Sequence, residues 1–479
     1  MMLLVLLPTM LSGWLVARAL TRGLWPQPAW AGPVAAAALG VLLGPGLASI
    51  LYFALVPVKA AKPGPIYIVL AAQLALSHAW WRFARLPRPA IDSRPNFPWN
   101  WVLLAALGLG CVFFALDFQA ASAANPNGEW DASAIWNLRA RYLAGGPETW
   151  RRAISPSLGG GMVGSSHPGY PLLLSSFLAM QWTAAGAYDS TGPILTSLII
   201  SLAVLILLVT SLAARRSLSL GVLAGLLLLA TELFASQAAS QYSDLLEGLA
   251  FLAALVLMGS GERPSMYALL GSGFAIGLAP WIKNEGQPFA LAVLAVAVWR
   301  FRGWATFTLL GALPGFAATA ALKLLSGGRE AMFPSTAGEA FGKLADVSRW
   351  WQAFLGFGKA FLDAGTPWAH PALLAIALAL VLRLVPREER RGHWWLGLPI
   401  AVTLAAEYGL YLITTADLDW HINTSVTRLW AQVWPSLLWL LFSVLRAPED
   451  YFAPREPVPV GVREPAAPGP KGKKRRAAA

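Results

Sequence analysis

Four polar clusters in an otherwise apolar chain hold the side chains that could do chemistry. The first is NPNGEWDASAIWNLRARYL at 125–143. Asn-Pro-Asn-Gly is turn chemistry, and Asp131 follows near a helix start, where a carboxylate caps the helix or complements its dipole. From Trp130 onward Ile135, Trp136, Leu138, Tyr142 and Leu143 alternate with Arg139 and Arg141, as in a helix lying in a membrane interface. Glu129 and Asp131 then face the membrane surface beside two arginines. They are either a cap with surface ion pairs, or carboxylates that take a proton from an attacking hydroxyl or hold a divalent cation. The second cluster is SSHPGYP at 165–171. His167, with Tyr170 close behind, binds phosphate or donates a proton, or else His167 and the prolines only shape the start of the next helix.

The third cluster joins QYSD at 241–244 to KNEG at 283–286. Lys283 and Glu285 beside Trp281 read as an interfacial anchor pair, or as partners of Asp244 in one polar pocket, because charges in an apolar run are costly unless paired or solvated. The fourth is TTADLDWHINTSVTRLW at 414–430. His421, Thr424, Ser425 and Arg428 stand at i, i+3, i+4 and i+7, so a helix puts all four on one face. Such a stripe, with Trp420 at its edge, suits phosphate. The alternative is an arginine reaching for the interface above two solvated loop charges, Asp417 and Asp419.

The elements that must position these residues are membrane helices. The chain has 479 residues, 57% hydrophobic and 13% charged, with mean hydropathy +0.56. A soluble globular protein carries about twice that share of charge. The apolar runs are continuous, which excludes disorder, collagen and a transmembrane barrel. Spans are expected at about 2–18, 31–56, 65–82, 99–118, 190–213, 218–236, 244–260, 266–282, 286–300, 304–325, 368–385, 394–414 and 429–446. The fold class is thus all-α and polytopic, with about thirteen transmembrane helices. The apolar stretch at 171–186 is too short to cross and suits an in-plane or re-entrant helix.

With the C-terminus in the cytoplasm, about two thirds of the 36 basic residues fall inside, as cytoplasmic loops favour. The net charge of +12 is then a statement of orientation, not of nucleic-acid binding. The first segment reads as a retained helix, not a removed signal peptide. Segments 119–189 and 326–367 are long extracytoplasmic loops, and 447–479 reads as a disordered basic tail. The single cysteine, Cys111, excludes an internal disulfide. His78, His370 and His393 lie near span ends and read as interfacial residues. Glu232 and Glu407 lie within spans, where an ionisable residue is a functional candidate.

An acidic loop motif, then His167-Pro168-Gly169-Tyr170-Pro171 before a short helix, resembles the GT-C superfamily of integral-membrane glycosyltransferases. Tyr242-x-Asp244, Lys283-Asn284-Glu285-Gly286 and Trp420-His421-x-x-Thr424-Ser425-x-x-Arg428 look like a bacterial branch related to dolichyl-phosphate-mannose-protein mannosyltransferases. The resemblance covers about 99–445, and the organisation it implies is a catalytic membrane module at 99–446 behind extra helices at 1–98. Here the acidic loop follows the fourth span, whereas in the usual pattern it follows the first. The large C-terminal soluble domain of some relatives is missing.

The resemblance implies an inverting transferase in a bacterial plasma membrane, working on the periplasmic or exterior face in cell-envelope glycan biosynthesis. Its donor is a polyprenyl-phosphate-linked sugar, its acceptor a glycan, lipid or protein hydroxyl, and its surroundings membrane lipid. Asp131 is then the catalytic base with Glu129 beside it. Asp244 and Glu285 support the polar site, and Arg139, His167, Lys283, His421 and Arg428 contact donor phosphate or sugar. Tyr170, Trp420, Thr424 and Ser425 complete the binding set. A divalent cation is a candidate cofactor, with Glu129 and Asp131 as its only obvious ligands. The competing readings are a lipid-linked polysaccharide polymerase or ligase, and a lipid or solute transporter.

Overall fold

The structure is a computed structural model that describes residues 2–25, 28–84, 98–146, 148–155, 167, 169–261, 264–326, 333–365 and 370–452. It is about 80% helical with no strand among the described residues. The helices are α1 (Leu3–Leu20), α2 (Ala31–Leu55), α3 (Pro63–Phe83), α4 (Asn100–Ala124), α5 (Asn137–Ala144), α6 (Leu173–Ala185), α7 (Thr191–Arg215), α8 (Leu218–Leu229), α9 (Glu232–Ala239) and α10 (Asp244–Met258). They continue as α11 (Met266–Ile282), α12 (Gly286–Phe301), α13 (Ala305–Ser326), α14 (Ala337–Ala345), α15 (Val347–Leu362), α16 (Pro371–Leu382), α17 (Arg387–Arg391), α18 (Leu398–Ile413), α19 (Leu418–Ser443) and α20 (Glu449–Phe452).

Six helical stretches are long and apolar enough to cross a membrane, seven if the bent pair α8–α9 is counted as one. This is a helical membrane protein. Every segment expected to span does contain helix, but α10, α11 and α16, with 15, 17 and 12 residues, are short for a crossing. By length and composition, six or seven spans are supported among the described residues. The expected span at 218–236 is broken at Ala230–Thr231, with a 68° bend between α8 and α9. Glu232 begins α9 and is exposed.

The core is built around α10, which is buried along its whole length. Its sequence is apolar on every side after the first turn, the pattern of a helix enclosed by others. At the other extreme, α4 is just as apolar but buries only Phe114, Phe118 and Ser122. It stands at the periphery, where lipid is its solvent. The helices α1, α2 and α3 share the main hydrophobic cluster with the rest of the chain. Between α11 and α13 the backbones nearly touch: a Cβ at Gly273, Gly277, Gly311 or Gly315 would collide with carbonyl groups of the facing helix. Small residues are what allow such an approach in membranes.

Two surface expectations change. Helix α6 is buried on nearly every side, so the stretch at 171–186 is enclosed by protein and is not a helix lying on the outside. The segment after Trp130 forms a π-helical turn, Ala132–Trp136, running into α5. Ile135, Trp136, Arg139, Ala140 and Leu143 are buried there, so its apolar face is enclosed, while Trp130, 57% exposed, Ser133 and Arg141 face outward. The start of the expected disordered tail is folded: Glu449 is buried in α20 and accepts a hydrogen bond from Ser219 at 2.6 Å. Residues 453–479, including the KGKKRR run, lie outside the described residues.

Candidate functional site

Two interlocking turns set the first half of the site. After α4 the chain reverses through Gly128, whose φ of 74° is one that side chains rarely adopt. The Glu129 N–H then donates to the Ser240 carbonyl at 3.1 Å. Facing it, Gln241 has φ 58° and donates through Nε2 to the Pro126 carbonyl at 3.1 Å. Asn137 Nδ2 donates to the Asn127 carbonyl at 3.1 Å and contacts Gln241 Oε1 at 3.4 Å. This lock brings Tyr242 against Asp131, whose backbone N–H donates to the Tyr242 hydroxyl at 3.2 Å.

Asp131 heads the π-helical turn but makes no side-chain cap. Its carboxylate pairs with the Arg428 guanidinium, which lies over the Tyr242 ring at 5.3 Å. Both side chains keep a minority of their surface open, 19% for Arg428 and 15% for Asp131. Glu129, by contrast, is exposed and accepts from Asn125 Nδ2 at 2.8 Å across the turn. Asp131 and Glu129 are thus engaged in different directions, which does not fit a shared cation. Among the described residues no group of three or more His, Cys, Asp or Glu could hold a metal ion.

The second half lies at the junction of α10, α11, α12 and α19. Asp244 Oδ1 accepts from Lys283 Nζ at 2.9 Å and from Gln432 Nε2 at 2.7 Å. Lys283 also meets Glu285 Oε1 at 2.8 Å. The Lys283 side chain is 5% exposed and that of Asp244 1%. Burial disfavours the ammonium, but Asp244 and Glu285 outweigh it and raise the Lys283 pKa. The anchor reading of Lys283 and Glu285 therefore gives way to the pocket reading. Trp281 is buried and donates to Ser49 at 3.0 Å, so it is not an interfacial anchor either.

An aromatic wall joins the two halves. The Tyr170 ring stacks between His167, at 4.6 Å, and Trp136, at 5.9 Å. Burial, then the charge of Glu285, push the Tyr170 phenol up, so it stays neutral, while Lys283 and Arg428 pull the other way. Lys323 at the end of α13 donates to the Gly169 carbonyl at 2.8 Å and to Asn284 Oδ1 at 3.0 Å. It ties the His167–Tyr170 loop to the Lys283 segment, and sequence reading did not single it out.

On α19 the expected stripe is partly realised. His421 is buried and stacks on Tyr411 at 4.3 Å, and Ser425 shares a 2.5 Å contact with the Tyr411 hydroxyl. Arg428 faces Asp131. Thr424 departs from them: it is exposed and bonds back to the Trp420 carbonyl at 2.8 Å. Trp420 is 53% exposed at the start of the helix. Asp417 is exposed, as expected of a solvated charge, and is also the N-cap of α19, accepting from the Trp420 N–H at 2.8 Å.

Arg139 also departs from expectation. It is wholly buried and donates through Nε to the Ala153 carbonyl at 2.7 Å, with Nη1 3.5 Å from the Pro171 carbonyl. It fastens the loop before α6, so it positions the site and does not line it.

Compared with protein-family models, with curated proteins and with solved structures, the chain matches none. Its own geometry must then carry the reading. The residues missed in the sequence are Gln432, Lys323 and above all Glu247. Glu247 lies one turn beyond Asp244, fully buried, and neither carboxylate oxygen has a hydrogen-bond partner among the described residues. Gly286 leaves room for it, since a Cβ there would collide with Glu247 Oε1. An acid inside DLLEGLAFLAALVLM was visible in the sequence, but the surrounding leucines hid it. Asp244 Oδ2, Glu285 Oε2, His421 Nδ1 and Arg428 Nε also keep hydrogen-bonding capacity while buried. The arrangement can take a ligand that both donates hydrogen bonds to carboxylates and presents an anion to Arg428.

Proposed function

We propose that the protein is a GT-C-type membrane glycosyltransferase that moves a sugar from a polyprenyl-phosphate donor to an acceptor hydroxyl, with inversion. One observation carries this reading. Asp131 and Arg428, 297 residues apart, pair beside the buried Lys283–Asp244–Glu285 group at the same end of the helical bundle. A base and a phosphate-binding cation are thereby held within reach of one sugar.

In this mechanism the donor phosphate competes with Asp131 for the Arg428 guanidinium, which binds either anion through two parallel hydrogen bonds, and it wins as negative charge builds on the leaving phosphate. The freed Asp131 carboxylate takes the acceptor's hydroxyl proton as that oxygen attacks the anomeric carbon. The bond from the anomeric carbon to the phosphate oxygen breaks, and its electron pair leaves with the phosphate, stabilised by Arg428. Lys283 helps to hold Asp244 ionised, and Asp244 and Glu285 accept from sugar hydroxyls. His167 and Tyr170 form one wall of the sugar site, and His421 and Tyr411 the other. No step is routed through a metal.

The setting that goes with this reading is a bacterial plasma membrane crossed thirteen times, the site on the exterior face and the C-terminus in the cytoplasm. Asp131→Asn membranes supplied with a labelled polyprenyl-phosphate sugar test it. The variant should purify like the parent and lose transfer; wild-type transfer would remove Asp131 as the base. Consumption of a diphosphate-linked oligosaccharide in place of the monophosphate donor would move the protein to the polymerases and ligases. Buried Glu247 and Glu407 are what favour a transporter, since such residues often mark a conduction path. Flux in proteoliposomes without a glycosidic product would establish that reading instead.

A further inference from the structure

The two helices between α13 and α16 play no part in the mechanism, yet they carry a large apolar surface. On α15, Val347, Trp350, Trp351, Phe354, Leu355 and Leu362 recur at helical spacing and are all exposed, from 44% to 77%. A second face is buried: Ala353 and Ala360 are 0% and 7% exposed, and Phe357 packs edge-on to Tyr411 at 5.3 Å. A third face, with Ser348 and Lys359, is polar and exposed. Helix α14 continues the pattern with Phe341, 69% exposed; the Thr336 hydroxyl caps it by accepting from the Glu339 N–H, and the Glu339 carboxylate reaches back to the Ser335 N–H, each at 3.2 Å.

What fixes the depth of this pair is Arg349. Its guanidinium donates to the carbonyls of Tyr411, Leu412 and Thr414 at 3.2, 2.8 and 3.3 Å, the unsatisfied C-terminal end of α18. The stretch Trp394–Ile413 is one of the six segments able to cross the membrane. Gln352 donates to Asp419, in the first turn of α19, at 2.6 Å. Helix α15 is therefore pinned at the level where one span ends and the next helix begins, which is the boundary between hydrocarbon and headgroups. Tryptophan is enriched at that level, and an amphipathic helix there buries its apolar face in lipid.

We propose that α14 and α15 form an in-plane hairpin whose aromatic face is seated in the bilayer, with lipid hydrocarbon as its partner. This inference does not depend on the glycosyltransferase reading. It gives the hairpin a task, because α15 also packs on the part of α19 that carries His421 and Arg428: a Cβ at Gly356 would collide with Ile422, and Trp430 donates to the Phe357 carbonyl at 3.2 Å. Lipid pressing on α15 holds that end of α19 in place.

The test uses the full chain in liposomes, with Cys111→Ser as background and one nitroxide label at a time on Val347→Cys, Phe354→Cys or Lys359→Cys. Spin relaxation is read with oxygen, which partitions into lipid, and with a nickel chelate, which stays in water. The expected result is an oxygen-to-nickel ratio several-fold higher at 347 and 354 than at 359. Nickel access at 347 and 354 equal to that at 359 would place the face in water and overturn the proposal. Low access to both reagents would overturn it in favour of a second copy of the chain covering the face. Positions 347 and 354, two turns apart on the same face, guard against one substitution that fails to fold.

Discussion

The two ends of the helical bundle differ in whether their cations also meet buried carboxylates. At the end away from the site, cations meet backbone carbonyls. Arg22 donates to the Ala84 carbonyl after α3 and Arg215 to the Gly259 carbonyl after α10. Arg216 donates to the Leu445 carbonyl after α19 at 3.0 Å. Each completes a helix C-terminus that has spare acceptors and partial negative charge. The acid that pairs with them, Glu389, lies 3.6 Å from Arg216 and is 54% exposed, while buried Glu449 meets a serine and not a cation. At the site end Arg139, Lys323 and Arg349 also meet carbonyls, but Lys283 and Arg428 meet carboxylates in the interior. Buried ion pairs contribute little to stability beyond what a well-packed apolar replacement would give, so three acids and two cations packed together argue for chemistry. The same residue types finish the architecture at one end and occupy the site at the other.

Substitutions can break this comparison. The largest effect is expected between the ends, at the close crossing of α11 and α13. Gly315→Leu drives a side chain into the Gly277 backbone, at a cost above about 4 kcal/mol, so the yield of folded protein in detergent should collapse. Next comes Lys283→Ala, which leaves Asp244 and Glu285 buried without their cation. A loss of about 3–5 kcal/mol is expected from such a truncation, seen as a large fall in melting temperature. If Lys283→Ala melted like the parent, the site-end cluster would be as dispensable as surface charge and the contrast would fail.

A smaller effect separates the ends by pH. Burial and the neighbouring Arg215 lower the pKa of His393 from its ordinary value of 6.5. The unfolded chain then takes up a proton as pH falls through about 6.5 while the folded chain stays neutral there, so His393 costs stability on the acid side. Melting scans from about pH 7.5 to about 5.5 should show a drop that His393→Gln reduces. The smallest effect is expected for Glu389→Gln, which removes a largely exposed ion pair worth about 0.5 kcal/mol or less. A large loss there would mean that this end, too, depends on its charges.

The sequence made the helices legible because continuous apolar runs in lipid have few alternatives. It also placed the four polar clusters at helix ends, and the contacts among Asp131, Tyr242, Asp244, Lys283 and Arg428 bring them to one end. What it could not convey is pairing. Nothing at position 131 says that its partner is residue 428, since only the packing of α10 against α19 brings them together. Thr424 shares its helix face with Arg428 by spacing, yet Phe357 and Tyr411 occupy only one side of α19, and Thr424 falls beyond it. Arg139 read as a ligand because charge suggests solvent, but the carbonyls of Ala153 and Pro171 make a buried seat for it. The break at Thr231 was legible in principle: Ala-Thr-Glu is a helix start inside a longer apolar run, and leucines on either side masked it. So was the Thr336 N-cap of α14, with Glu339 three residues on, inside the long segment 326–367.

The glycine crossing of α11 and α13 has a mechanical consequence. Two helices with backbones in contact and no side chains between them cannot slide or roll apart without losing the whole interface, so they behave as one stiff beam. Lys283 and Lys323 sit at its tip and form a fixed jaw. Arg428, on a long helix with a proline at 435 within it, belongs to the opposite jaw. With α15 bracing the end of that helix as well, closure around a ligand is left to side chains such as that of Arg428, working against a stationary anvil.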